Sequence, residues 1–161
     1  MARLSRRLIL AFVLALVGWS LLVAADRTLL IGYLELEDDP RYEVRRIAAH
    51  FPAQPWGRPF DGARVALEES DFAGAATGLK FELRRAAAGD ADGLEAALQR
   101  LHGAGARFFL LDAPGDVVAA VAQRTRGRDL LLFNLTALAD GLRQERCQPH
   151  LFHVAPNHAM L

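Results

Sequence analysis

Cysteine occurs once, at Cys147, so no disulfide can close within the chain. That excludes a disulfide-stapled mini-protein. Lysine also occurs once, at Lys80, and any chemistry that needs a lysine has that single candidate. Neither sign of charge is in excess, with 19 basic and 19 acidic side chains. No basic cluster lies outside the extreme N-terminus, so a nucleic-acid binder is not expected. Aromatic residues are 8%, hydrophobic residues 52% and charged residues 24% of the chain. These shares exclude disorder and collagen-like repeats. No G-x-S-x-G, H-E-x-x-H or phosphate-cradling glycine loop occurs, and no Ser/His/Asp set can be placed. Catalysis and a bound cofactor are therefore not expected. What is present is 161 residues, the size of one domain or of part of a larger one.

The N-terminus carries Arg3, Arg6 and Arg7, then an apolar run from Leu8 to Leu22, then Val23-Ala24-Ala25 before Asp26. A basic start, an apolar core and small residues at a cleavage point make a secretory signal over residues 1–25. Cleavage is expected after Ala25, leaving no stable membrane insertion and placing residues 26–161 in the periplasm. The competing reading is an uncleaved anchor, since residues 8–25 nearly span a bilayer. Ser5-Arg6-Arg7 resembles a twin-arginine signal, although so apolar a core suits the general export route better. Loss of the three arginines takes three from 19 basic residues against 19 acidic ones, a net charge of −3 for the remainder. Export also argues against ATP- or NAD-driven chemistry.

The rest reads as alternating strands and helices. Residues 28–36 (TLLIGYLEL) are apolar and predict a buried strand. Residues 79–85 (LKFELRR) alternate, as a half-exposed edge strand does. Residues 107–112 (RFFLLD) and 129–134 (DLLLFN) are continuous apolar runs, which suit central strands of a parallel sheet. Residues 150–154 (HLFHV) predict a fifth strand. Between them lie helical patterns at residues 62–70, at Leu94, Ala97, Leu98 and Leu101, and at Val117, Ala120 and Val121. Asp92 and Glu95 suggest a capping box for the second of these helices, and Gly103 its end. The alternation implies an α/β fold, a Rossmann-like parallel sheet flanked by helices. Residues 37–60 form a proline-rich connection, long enough to suggest a functional loop, with one short helix expected around residues 42–50. The chain ends at Leu161, where a fifth strand should pass into its helix, and the lobe is expected to be truncated.

The order of these parts resembles the first, N-terminal lobe of a type I periplasmic solute-binding protein, in the branched-chain amino-acid receptor branch (leucine-binding-protein-like). Ile31-Gly32-Tyr33 matches the first strand, and Asp61-Gly62-Ala63-Arg64-Val65-Ala66-Leu67-Glu68 the first helix. Phe81-Glu82-Leu83 matches the second strand, Asp90-Ala91-Asp92 the turn before the second helix, and Phe152-His153-Val154 the strand leading to the hinge. The resemblance runs from Thr28 to the end, about five-sixths of the chain. Glu37-Asp38-Asp39-Pro40-Arg41-Tyr42, Gly57-Arg58-Pro59 and Leu151-Phe152-His153 before Pro156 resemble a subgroup associated with PQQ-dependent alcohol dehydrogenase systems. The resemblance implies the binding component of an ABC transporter, with a small solute and a membrane permease as partners. One departure concerns the ligand. The Ser and Thr groups with which amino-acid receptors hold their ligand are replaced after strand three by Asp112-Ala113-Pro114-Gly115-Asp116, and an acid there repels a carboxylate.

Parallel sheets bind ligands at the carboxyl ends of their strands. Asp38 and Asp39 follow strand one, Asp112 ends strand three, and Asn134 and Thr136 end strand four. These five are the candidate ligand-binding residues, suited to a cation, an amine or hydroxyls. The plainer reading of Glu37, Asp38 and Asp39 is three solvated loop acids, and of Thr136 a helix cap. The same acids superficially suggest a phospho-receiver domain. Export, the spacing from Asp38 to Asp112 and the missing lysine after strand five argue against it. His150 and His153 point to opposite faces of a strand, so with His158 they make a poor metal site, and none is expected. A second function class is a stand-alone interaction or sensor module of an oxidative dehydrogenase system, anchored by Trp56 and Phe60. The plainer reading has both aromatics folded onto the sheet.

Overall fold

A computed structural model describes residues 27–49 and 56–161. The predicted signal and its cleavage point lie outside the described residues, as do His50, Pro52 and Pro55. Five strands are present: β1 (Arg27–Leu36), β2 (Leu79–Ala88), β3 (Phe108–Asp112), β4 (Leu131–Asn134) and β5 (Leu151–His153). All pair in parallel in the order β2-β1-β3-β4-β5. The helices are α1 (Val44–Ala49), α2 (Phe60–Thr77), α3 (Ala91–Gly103) and α4 (Gly115–Arg124), with 3-10 turns at Pro40–Tyr42, Asp140–Arg143 and His158–Met160.

The order of the strands dictates the layers. From β1 the chain steps outward to β2 through α2, then crosses back to β3 and on to β4 through α3 and α4. Right-handed crossovers in opposite directions place α2 on one face of the sheet and α3 and α4 on the other. The second face is the main core. There Leu94, Ala97 and Leu98 of α3 and Val118, Val121 and Ala122 of α4 bury against Leu30, Leu34, Phe109, Leu111 and Leu132. Each fully buried leucine contributes about 1.5–3 kcal/mol.

Several boundaries differ from the sequence pattern for identifiable reasons. α2 continues past residue 70 to Thr77 because its contact side becomes small, ending in buried Gly74, which carries no hydrophobic signal. It stops at Gly78, whose φ of 67° is the left-handed conformation that glycine adopts freely. β2 extends through Ala86, Ala87 and Ala88, which pair with Leu34, Glu35 and Leu36 but offer no polar–apolar contrast. The cap of α3 is Asp90, not Asp92: its Oδ1 accepts from Gly93 N at 2.8 Å. Asp92 instead pairs with Arg124 across to α4. The buried stripe of α4 is Val118, Val121 and Ala122, so Val117 and Ala120 are only half-buried.

Candidate functional site

The strand order reverses at β1, whose neighbours β2 and β3 are reached in opposite directions. The crevice beyond the carboxyl ends of β1 and β3 is therefore the place where a sheet of this kind leaves room for a ligand. Glu35 and Asp112 are paired residues there, and the chain turns at Asp39 immediately above them. All three carboxylates are buried, with Asp112 fully so. A buried carboxylate needs a partner, and arginines of this chain supply it. Arg41 lies against Asp39 through Nε and Nη2 at 2.5–3.0 Å and reaches Asp112 Oδ1 at 3.2 Å. Arg58 lies 3.4 Å from Glu35 and 3.5 Å from Asp112, and donates to the carbonyls of Leu36 and Glu37. Arg85 of β2 pairs with the other oxygen of Glu35 at 2.6 Å. Three carboxylates thus face three guanidinium groups.

Hydroxyls complete the network. Tyr42 donates to Asp112 Oδ1 at 2.5 Å, Thr136 to the same oxygen at 2.9 Å, and Tyr33 to Oδ2 at 3.2 Å. Thr136 Oγ1 also accepts from Arg41 Nη1 at 2.9 Å. The guanidinium groups of Arg58 and Arg41 lie over the Tyr42 ring, at 4.6 Å and 5.4 Å from its centre. Burial raises the pKa of both phenols, and the Asp112 charge and hydrogen bond raise them further. For Arg41, burial lowers the pKa, but the hydrogen bond and charge of Asp39 outweigh it and hold the group above its ordinary value.

The structure therefore brings Asp39, Asp112 and Thr136 into one network. Asp38 stays exposed beside it, on the wall of a cleft of about 370 Å³ shared with Asp39, Tyr42 and Arg58. Asn134 is fully buried and turned inward. Its Oδ1 accepts from Thr136 N and Ala137 N, and its Nδ2 lies 2.7 Å from Ala137 O and 3.1 Å from His153 Nδ1. It shapes the turn that carries Thr136. No helix begins at Thr136, so that hydroxyl caps none. Asp39 departs from the reading of residues 37–39 as solvated acids, because Arg41 follows it closely enough to neutralise it.

Of the two loop aromatics, Phe60 folds back, meeting Tyr33 edge-on at 5.1 Å with Arg85 over its face at 4.5 Å. Trp56 is 79% exposed. His150 bonds Thr125 Oγ1 at 3.1 Å, away from His153. Among the described residues no group of three or more His, Cys, Asp or Glu side chains is placed to hold a metal ion. Cys147 is an exposed free thiol. Sequence reasoning did not assign roles to Glu35, Arg41, Tyr42, Arg58, Tyr33 or Arg85. The available signal was three loop residues, Arg41, Tyr42 and Arg58, inside the two short motifs that resemble the dehydrogenase-associated subgroup.

No family model matches the chain, and no curated protein is similar to it in sequence. Its fold has a solved counterpart. A periplasmic binding protein from Burkholderia mallei superposes with a TM-score of 0.58 at 20% identity, over 83% of this chain and 33% of that one. The α/β sheet of residues 27–161 is thus a periplasmic-binding-protein lobe in fold, and the chain spans about a third of the length of that protein. No helix among the described residues is long and apolar enough to cross a membrane.

Proposed function

We propose that this chain is the first lobe of a periplasmic solute-binding protein of an ABC-type uptake system, of the subgroup that accompanies PQQ-dependent alcohol dehydrogenases. A small solute is taken up between the carboxyl ends of β1, β3 and β4 and a second lobe that closes over it by hinge motion, and the loaded protein delivers it to a membrane permease. The carrying observation is the burial of Asp39 and Asp112 with Arg41 at the reversal point of the strand order. In this reading Asp38 and Asp39 border the solute's cleft, Asp112 and Thr136 lie behind its lining and hold Arg41 and Tyr42 in place, and Asn134 fixes the turn that carries Thr136. The test is a thermal-shift screen of the two-lobed protein with leucine-like amino acids, short alcohols, short carboxylic acids and divalent metals. Binding to the folded state raises the midpoint, by about 2.7 kcal/mol of stability at a hundred times Kd. No shift with any class overturns the reading.

A second reading, an interaction module of an oxidative dehydrogenase system, is favoured by the exposure of Trp56. Trp56→Ala separates the two. Unchanged stability with loss of a co-purifying partner supports the module, and unchanged solute binding supports the lobe.

A further inference from the structure

Asn134 and His153 end the neighbouring strands β4 and β5 and stand opposite each other in the sheet register. Their side chains meet at 3.1 Å, Asn134 Nδ2 against His153 Nδ1. The Asn134 amide is not free to turn over. Its Oδ1 accepts from the backbone N–H groups of Thr136, at 3.3 Å, and Ala137, at 2.8 Å, while Nδ2 donates to the carbonyl of Ala137 at 2.7 Å. A flipped amide would set its NH2 group against two N–H donors and its oxygen against a carbonyl. Nδ2 is therefore the donor toward His153, and His153 Nδ1 is the bare acceptor. The proton of the neutral ring belongs on Nε2.

A second proton is poorly accommodated. It would sit on Nδ1 and face the Asn134 NH2 group donor to donor. Charge opposes it as well. Arg143, on the 3-10 turn Asp140–Arg143, donates to the carbonyl of Ala155 at 2.6 Å, and its charge acts on the ring. Its Nη1 is buried without a hydrogen-bond partner, and among the described residues no acid pairs with it. Asp140, the acid of the same turn, accepts from Ala159 N at 3.1 Å instead. His158, on the last turn, is exposed. The Leu142 carbonyl favours a proton on the ring, but burial and Arg143 outweigh it and lower the pKa. The ring is also wired to the strand-end network. Asn134 holds the turn 134–137, and that turn presents the Thr136 hydroxyl, which donates to Asp112 at 2.9 Å and accepts from Arg41 at 2.9 Å.

We propose that His153 is an acid-sensitive latch on the strand-end site. Neutral, it holds Asn134 and the turn 134–137 in place; protonated, it drives that turn open and withdraws Thr136 from Asp112 and Arg41. In the open turn the ring regains its ordinary midpoint near 6.5 and binds its proton more tightly. Linkage then raises the open population by about tenfold per pH unit, from 6.5 down to the lower midpoint of the closed turn. On the reading that the strand ends hold a solute, its affinity falls over the same range. The latch itself uses only residues of this chain and is tested without a solute, so it stands or falls apart from that reading.

The test follows three NMR signals of the full chain from about pH 7.5 to about pH 5. They are the His153 ring, the exchange protection of the Ala137 amide, and the Cζ carbon of Tyr42, which shares Asp112 Oδ1 with Thr136. Loss of Ala137 protection and movement of the Tyr42 signal should both track the ring titration. His153→Gln keeps an acceptor for Asn134 but takes no proton, and both responses should vanish. Arg143→Gln should raise the ring midpoint toward 6.5 and shrink the loss of Ala137 protection by the same factor as the ring's proton affinity rises. This second variant keeps His153 and decides the matter even if His153→Gln does not fold. His150→Gln, at the far end of β5, should leave every response intact. A ring that titrates while Ala137 and Tyr42 stay still overturns the proposal, because the ring then swings clear of Asn134. So does a response that survives in His153→Gln or vanishes in His150→Gln. Equal loss of protection at Leu132, whose amide bonds His150 O at 2.8 Å, also overturns it, since the whole sheet would then be opening.

Discussion

Tyr42 donates its phenolic hydrogen to Asp112 at 2.5 Å across a sequence separation of 70 residues, and so ties the loop after β1 to the end of β3. The same carboxylate receives Tyr33 from β1 and Thr136 from beyond β4. Three segments that meet only at the strand ends therefore share one acceptor. Removing one donor should be felt as stability. Tyr42→Phe keeps the ring that Arg41 and Arg58 lie over and deletes only the hydroxyl. Urea denaturation should show a loss of about 1.5–3 kcal/mol, the range for a hydrogen bond to a charged group. A loss below about 0.5 kcal/mol would show that Tyr42 does not hold the loop.

Tyr33 and Tyr42 are the only tyrosines in the chain, so tyrosinate absorbance at 295 nm reads this site alone. Burial, followed by the Asp112 charge for Tyr33 and the Asp112 hydrogen bond for Tyr42, raises both pKa values well above 10. A tyrosine that stays protonated in the folded state and ionises in the unfolded one contributes stability below pH 10 and loses it as pH rises. Above pH 10 each should cost about 1.4 kcal/mol per pH unit. The folded protein should show no tyrosinate signal at pH 10.5, and the signal should appear together with loss of the helical circular dichroism. A smooth titration near pH 10 in the folded state would refute this.

His150 and His153 have lowered pKa values, both first through burial, with the Arg143 charge adding to the effect at His153. The sign is opposite to that of the tyrosines. Their neutral forms contribute stability above the unfolded value near 6.5, and it is lost as pH falls through the folded values. Proton NMR of the ring Hε1 signals should show both midpoints below 6.5, and stability should decline between pH 7 and pH 5. Replacing His153 with Gln should remove part of that decline.

The layout of strands was legible because its signal is local. β3 and β4 are short apolar runs bounded by polar or charged residues, and β2 alternates up to Arg85. Asp112 was legible for the same reason, since an aspartate ending an apolar strand needs a partner. The identity of that partner was not. Arg41 and Arg58 lie in a connection with no periodicity, and Arg41 is 71 residues from Asp112 and Arg58 23 residues from Glu35. Small residues hid the rest. Gly74 packs against the sheet and Ala86–Ala88 pair in it, yet neither segment shows a polar–apolar pattern.

Two glycines of α2 test that last point in opposite directions. A Cβ on Gly74 would stand 2.5 Å from the carbonyl oxygen of Leu79, backbone that cannot swing aside. Gly74→Ala should therefore destabilise by about 1–3 kcal/mol, as overpacking does. Gly62 lies in the same helix, and a methyl group added there would meet nothing within 4 Å. Gly62→Ala should stabilise by about 0.5–1 kcal/mol through helix propensity alone. Equal effects of the two substitutions in urea would mean that α2 does not pack on β2 as described.

Asp112→Asn probes the centre of the network. The substitution keeps the shape but turns one acceptor oxygen into an amide donor, facing either the hydroxyls of Tyr42 and Thr136 or the hydroxyl of Tyr33. It also takes the negative charge from between Arg41 and Arg58, leaving Asp39 and Glu35 to balance three guanidinium groups. Breaking a buried ion pair by removing one partner costs about 3–5 kcal/mol, and a loss of that size is expected in urea. Asp38→Asn is the internal control. Its side chain is exposed at the edge of the same cleft, and its stability should stay within about 0.5 kcal/mol of the parent. If Asp38 touches solute, calorimetry on the two-lobed protein should then register a change in affinity without a change in stability. Should Asp112→Asn prove as neutral as Asp38→Asn, the carboxylate does not organise the strand ends, and the arginines must be held there by Asp39 and Glu35 alone.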